Sequence, residues 1–454
     1  MRSSRYLLLG VFSFAAMVVI AAEKKPPVGT VQRLGDRSDL AVARGCASSI
    51  NTLKESVSAS STASSTAPGG ARDGDRFDVD PQHIWRGDAQ AKQWIWEVVF
   101  DSPVEVGAIL QIHGDDRTIL QNAPRDYVWK VRVDDGSWQS LDTTRVKGER
   151  RLARIHRLPA ARRVTGLRIV IDRATGDVPT LREVEWFADP QASIDYPPTA
   201  IIVSTLDVPK LPGPINGFMT LAKSCSGFES LDCQQVWLNS FDEAFLAIEP
   251  YPLCGFMTGN FRDWCEVPRE PWRGTQEVLK HGNLPIWAAC GGAQGLGILA
   301  DVGVDQPWDC PHCRDPLHPK LRIYTHIGHT AEKKCGDYSG CVGERGKFAV
   351  LQLAADPVFE GLPREFPIME SHIGQLDYVP RGWTQIATHG TGGLTKMQCM
   401  RVTDRPIYAA QFHMEMDGTP ETSKVLMGNF LKVARAWGGY NPHAKLLPGP
   451  QRFE

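Results

Sequence analysis

A cysteine set among small residues, and a His-x-Glu placed 123 residues further along, are the groups in this chain best suited to covalent chemistry. The first lies in Leu284-Pro285-Ile286-Trp287-Ala288-Ala289-Cys290-Gly291-Gly292-Ala293-Gln294-Gly295. A short apolar run of this kind suits a buried strand, and the glycines after it permit the sharp strand-to-helix turn that lifts a nucleophile above a sheet. A helix starting there points its N-terminal N–H groups at the sulfur, which suits a sulfur that must carry negative charge as it reacts. The second stretch, Pro406-Ile407-Tyr408-Ala409-Ala410-Gln411-Phe412-His413-Met414-Glu415, is another buried-strand pattern running into His413 and Glu415. A cysteine, a base, and a carboxylate that orients the base are the three parts of an activated nucleophile.

These residues need a scaffold, and from about residue 194 onward the pattern supplies one. Apolar runs at 199–204, 235–238, 253–257 and 285–289 alternate with helix-length segments such as 275–281 and 293–300. That alternation predicts a mostly parallel α/β sheet covered on both faces, with ligands held beyond the carboxyl ends of its strands. Cys290 and His413 both fall at such ends. The region before it, 56–190, reads differently: strand patterns at 94–100, 106–112, 127–133, 167–171 and 183–187 are separated by turn residues such as Asp134-Asp135-Gly136-Ser137. Many short strands with little helix predict an all-β sandwich.

Composition narrows the function classes. The 454 residues carry 50 basic and 52 acidic side chains, a formal charge of −2, so no global field points to nucleic acid or anionic lipid. Arg2 and Arg5 precede an apolar stretch from Tyr6 to Ala22 ending Ile20-Ala21-Ala22, the layout of a cleavable signal peptide over 1–22. An uncleaved anchor is the alternative, and either one implies an exported chain, periplasmic or extracellular. A linker follows over 23–55, and 441–454 is a short tail.

In an oxidising compartment the ten cysteines other than Cys290 are expected to pair, with Cys225/Cys233, Cys254/Cys265 and Cys335/Cys341 locally spaced. Cys310-Pro311-His312-Cys313 has the spacing of a zinc half-site, with His318, His326, His329, Cys335 and Cys341 nearby. A disulfide-stapled insertion over 301–346 is the preferred reading of that segment, and a structural zinc the alternative. His326, His329 and His389 are taken as surface or insertion histidines.

Family likeness sharpens both halves. Met257-Thr258-Gly259-Asn260-Phe261, Ala289-Cys290-Gly291-Gly292-Ala293-Gln294-Gly295, the 356–363 segment with Met369-Glu370-Ser371-His372, and Gln411-Phe412-His413-Met414-Glu415 stand in the order of the class I glutamine amidotransferase domain, which this region resembles. The resemblance implies a flavodoxin-like fold over 194–440 and a Cys290–His413–Glu415 triad that hydrolyses a side-chain carboxamide through a γ-glutamyl thioester. It further implies oxyanion donors at Gly291 and in the Gly259-Asn260 segment, and substrate contacts at Gln294, Ser371 and His372. No cofactor is required. The chain departs from the family pattern at Ala289, at Asn260-Phe261 and at Met414.

Earlier in the chain, Ala71-Arg72-Asp73-Gly74-Asp75, Trp85, Trp94-Ile95-Trp96, the Tyr127 to Trp138 stretch and Leu181-Arg182-Glu183-Val184-Glu185-Trp186-Phe187 together resemble the discoidin, or coagulation-factor C-type, jelly rolls of the galactose-binding-like group. That likeness implies a glycan or cell-envelope ligand bound at loop ends, sometimes with a structural calcium, for which the Asp73-Gly74-Asp75 turn offers oxygens. A stand-alone hydrolase of glutamine is thus the leading expectation. A γ-glutamyl peptide hydrolase and a non-catalytic ligand- or carbohydrate-binding protein are its rivals.

Overall fold

The computed structural model describes residues 55–59, 66, 68–116, 119–205, 212–260, 262–281, 283–308, 323–327, 339–440 and 451–452. The N-terminal signal stretch, nearly all of the linker, and Cys310, His312, Cys313, His318, His329 and Cys335 lie outside the described residues. Among the described residues, no helix is long and apolar enough to cross a membrane.

Residues 55–187 form β1 (Glu55–Ala59), β2 (Trp85–Arg86), β3 (Trp94–His113), β4 (Pro124–Arg132), β5 (Trp138–Ser140), β6 (Ala153–Ala174) and β7 (Thr180–Phe187). All pairings are antiparallel, in the order β2-β7-β3-β6-β4-β5 with β1 on β3. The strands expected at 94–100 and 106–112 are one 20-residue strand, β3, whose register against β6 breaks between Val99 and Val104. Ser102-Pro103 is the bend, not a loop. Before it β3 pairs with β1, and after it with β7, so the β3–β6 ribbon serves both layers of a sandwich. Inward residues alternate along β3 (Trp96, Val98, Phe100), as a period of two requires, and ring contacts Trp96–Trp129 and Phe100–Trp186 at 6.3 and 5.1 Å help fill the core.

The sandwich is bolted to the following layer by arginines of its β5–β6 region. Arg150 reaches Asp242 at 2.7 Å, Arg157 reaches Glu249 at 2.6 Å, and the buried Arg151 guanidinium donates to the carbonyls of Ile248 and Pro250.

The remaining strands are β8 (Thr199–Ser204), β9 (Asp232–Trp237), β10 (Pro252–Met257), β11 (Ile286–Ala289), β12 (Tyr324–His326), β13 (Glu344–Gln352), β14 (Ala354–Ala355), β15 (Glu365–His372), β16 (Gly374–Leu376), β17 (Trp383–His389), β18 (Cys399–Val402), β19 (Ile407–Ala410) and β20 (Gln451–Arg452). The helices are α1 (Pro212–Lys223), α2 (Glu243–Leu246), α3 (Arg273–His281), α4 (Gly291–Asp301) and α5 (Pro420–Trp437). Nine strands make one sheet in the order β15-β13-β17-β18-β19-β11-β10-β8-β9.

The expectation of a mostly parallel sheet needs correction. The run β19-β11-β10-β8-β9 is parallel, whereas β18, β17, β13 and β15 extend it by antiparallel pairings. These later strands follow one another through short connections with no crossover helix, which allows only antiparallel neighbours. Both faces of the parallel half are covered. Along β8, Ala200 and Ile202 join the core with Phe256, Trp287 and Phe430, while Ile201 and Val203 join the opposite core with Met257, Ala288 and Leu296.

The cysteines also correct the sequence reading. Cys225, Cys233, Cys254 and Cys399 are buried free thiols, so the Cys225/Cys233 and Cys254/Cys265 bridges do not form, although Cys265 itself is disulfide-bonded. Cys225, Cys233 and Cys254 pack as small apolar groups in the core that contains Phe218 and Phe256. Burial pushes the Cys233 thiol up to about 12 and Cys254 well above the ordinary range.

One polar pair lies deep in the sheet. Arg401 of β18 donates to Asp356 at 2.8 Å, and Tyr408 of β19 donates to the other Asp356 oxygen at 3.1 Å. Removing the carboxylate would leave the guanidinium buried without its counter-charge. Asp356→Ala is therefore expected to cost roughly 3–5 kcal/mol, read as a lower urea midpoint with unchanged slope.

Candidate active site

Cys290 occupies the turn between β11 and α4 with φ 48° and ψ −113°; among the described residues only Asn122 shares a positive φ without being glycine. A side chain is held in this region only where the surroundings over-determine it. Here the Cys290 N–H donates to Ala410 of β19 at 2.8 Å, and its carbonyl accepts from Gln294 in the first turn of α4 at 2.9 Å. The loop after β10 presses directly on this turn. A Cβ on Gly291 would lie 2.1 Å from the Asn260 nitrogen, and one on Gly292 would lie 2.7 Å from the Thr258 carbonyl oxygen. Thr205, just after β8, fixes that loop by donating to the Gly259 carbonyl at 2.7 Å. Gly291→Ala is therefore expected to push Asn260 away and lower kcat by about 10²-fold or more, with a smaller loss of Tm; paired kinetics and thermal melts check it.

His413 lies three residues past β19, and its N–H donates to the Met369 carbonyl at 2.8 Å. Its Nδ1 is 2.7 Å from Glu415 Oε1, with both side chains buried. Nδ1 therefore carries the proton toward the carboxylate, and Nε2, buried and without another hydrogen bond, is the nitrogen available to the thiol. Burial opposes a charge on this imidazole, but Glu415 and Cys290 outweigh it and hold the His413 pKa well above 6.5. The Cys290 Cβ and the His413 Cε1 each lie 3.7 Å from the position of a Cβ on Gly259, so sulfur, base and the 259–260 backbone meet at one point.

They open on a cavity of about 640 Å³ whose wall includes Cys290, Asn260, Gln294, Ser371, His372 and Arg345. Gln294, expected to meet substrate, has its amide fully engaged: it accepts from Trp264 at 3.0 Å and donates to the Gly374 carbonyl at 2.9 Å and to Gln411 at 3.1 Å. The Ser371 carbonyl accepts from the Cys290 thiol at 3.9 Å. His372 is buried, with Nδ1 2.9 Å from the Gly374 carbonyl oxygen and Nε2 3.0 and 3.3 Å from Glu370 and Glu344.

Sequence reasoning missed several residues of this pocket. Glu344 and Glu370 carried no motif, and only the β13–β15 register, which sets Glu344 directly opposite His372, brings them together. His326 is no surface histidine: it is buried, 2.9 Å from Asp263 and 3.1 Å from the Tyr324 hydroxyl, in the wall of the same cavity. Its position on β12, paired with β16, turns it inward.

Among the described residues no group of three His, Cys, Asp or Glu side chains is arranged to hold a metal ion. In the Asp73-Gly74-Asp75 turn, Asp73 pairs with His83 and accepts from the Asp75 N–H, while Asp75 Oδ1 accepts from the N–H groups of Phe77 and Asp78.

Comparison with known proteins gives matches in both regions. The profile of the glutamine amidotransferase class-I family matches residues 273–433. GMP synthase (glutamine-hydrolyzing) of Thermosipho africanus is 37% identical over 165 residues, 36% of this chain and 31% of that protein. The separate glutamine-hydrolyzing polypeptide of the GMP synthase of Haloarcula marismortui is 30% identical over 145 residues, 31% of this chain and 74% of that polypeptide. The chain thus spans only 31% of the length of the first two such relatives and 48% of a third. Among solved structures, the corresponding GMP synthase polypeptide of Thermoplasma acidophilum aligns over 54% of this chain and 98% of its own, at 16% identity and a TM-score of 0.39. A family 32 CBM from Clostridium perfringens NanJ, in complex with galactose, aligns over 29% and 92%, at 12% identity and a TM-score of 0.25.

Proposed function

We propose that this chain, which belongs to the glutamine amidotransferase class-I family, hydrolyses the side-chain amide of glutamine through a thioester on Cys290. The observation that carries this is the strained Cys290 backbone, φ 48°, set beside a His413–Glu415 pair at 2.7 Å. His413 Nε2 takes the thiol proton as the sulfur adds to the γ-carbonyl carbon. The tetrahedral oxyanion forms where the N–H of Gly291 and the 259–260 backbone converge. Collapse expels ammonia, which receives the proton from His413, and leaves the γ-glutamyl thioester. Water then adds with His413 as base, releasing glutamate and restoring the thiol. Glu415 keeps the imidazole in the tautomer that presents Nε2 to sulfur throughout.

Export rests on the signal-like stretch at 1–22, and the sandwich, by its discoidin-like residues, is assigned to a glycan or other cell-envelope ligand. Purified protein is expected to release ammonia from L-glutamine and, with hydroxylamine present, to form γ-glutamyl hydroxamate from the trapped thioester. Neither product in a folded sample would overturn the reaction. A higher kcat/KM for γ-glutamyl peptides than for glutamine would move the assignment to the larger leaving amine.

A further inference from the structure

We propose that His372 is a second, permanently charged imidazole of this site, a positioning residue clamped by Glu344 and Glu370 that fixes the Ser371–Gly374 turn against Cys290 and supplies positive charge near its sulfur; the proposal rests on Cys290 being the nucleophile. Both ring nitrogens face acceptors only. Nδ1 is 2.9 Å from a backbone carbonyl oxygen, and Nε2 is 3.0 and 3.3 Å from two carboxylates. A neutral imidazole has one N–H, so it would turn a lone pair toward one of these oxygens; the imidazolium satisfies both sides.

The carboxylates need that charge. Glu370 is fully buried and neither of its oxygens makes a hydrogen bond, which leaves the off-axis ion pair with His372 as its closest compensation. Glu344, equally buried, is anchored by the Leu394 N–H and by Thr395. The charged groups packed on this ring are Glu344 from β13, Glu370 from β15 and Cys290 from the elbow, with His413 adjoining Glu370. Consistent with this geometry, burial opposes the His372 charge but the two carboxylates win, and its pKa is pushed up to about 9.

The consequence falls on the sulfur. The Ser371 carbonyl that accepts the thiol proton faces an anion once that proton moves to His413, and this contact then becomes repulsive. A fixed cation one residue along offsets it. The Gly374 carbonyl that accepts from His372 also accepts from Gln294 of α4, so the same ring ties the turn to the nucleophile's own helix.

Alkylation of Cys290, located by peptide mass spectrometry, tests this without turnover, because the rate ratio of iodoacetate to iodoacetamide reports the charge at the sulfur. His372→Asn, which keeps a donor near Gly374, is expected to lower that ratio by about tenfold and kcat by at least as much, while His372→Lys keeps the ratio near wild type. If His372→Asn does not fold, Glu344→Gln decides: at pH 8 the imidazole without its fixed counter-charge loses its proton, and the ratio falls similarly. An unchanged ratio in whichever of these variants folds overturns the role of His372. Failure of the wild type to hydrolyse glutamine, with the ratio behaving as expected, would overturn the proposed reaction instead.

Discussion

Cys290→Ala is expected to lower kcat for glutamine on the order of 10⁵-fold while leaving the thermal unfolding midpoint within a few degrees of wild type. The size of the loss follows from the mechanism, in which every step after binding passes through a bond to this sulfur. The small effect on folding follows from the site. Cys290 is held by its backbone, through Ala410 and Gln294, and its side chain makes one long contact, to the Ser371 carbonyl at 3.9 Å. Alanine keeps the backbone bonds and meets the same positive φ with a smaller side chain. Steady-state ammonia release and a melting curve on one preparation separate the two effects. Residual activity above about 1% of wild type would mean that another group carries the reaction.

Glu415→Gln is expected to lower kcat by about 10³–10⁴-fold with little change in KM. The exchange keeps shape, and Glu415 Oε2 has no hydrogen bond to lose. What changes is the group 2.7 Å from His413 Nδ1. A carboxylate accepts that N–H and stabilises the imidazolium as it forms. A glutamine amide whose NH₂ turns toward Nδ1 favours the tautomer with the proton on Nε2, where it can no longer take one from sulfur. Removal of the anion also lowers the folded-state pKa of His413. The stability that its raised pKa contributes, present below the unfolded value near 6.5 and lost as pH rises through the folded value, is therefore smaller in the variant. Parallel pH–rate and pH–stability profiles should shift together.

Much of the reacting centre was legible because its chemistry forces local pattern. A buried strand into Cys290 and glycines after it are visible in one line of sequence, and Gly291 has no alternative residue with Asn260 so close. The parallel strands around it were legible for the same reason: β8 is buried along its whole length and reads as one apolar run. The antiparallel half was not. β13 and β17 each present one face to solvent, so their residues mix polar and apolar, and only the register shows which strands pair. Glu344 and Glu370 were illegible on the same ground, being 26 positions apart and joined by a pairing no local signal encodes. The cysteines misled because an assumed oxidising compartment favoured bridges, whereas Cys225, Cys233 and Cys254 are used as apolar volume in a well-filled core.

The central claim is that Cys290, with His413 and Glu415, attacks a glutamine side chain. Incubation of the intact protein with a diazo-ketone analogue of glutamine, followed by mass spectrometry of its peptides, tests that directly. The expected result is one adduct, on Cys290, formed faster than with a simple alkylating agent, suppressed by excess L-glutamine and absent in His413→Ala. A folded protein in which Cys290 stays unlabelled, or is labelled no faster than Cys341 and without protection by glutamine, would contradict the account.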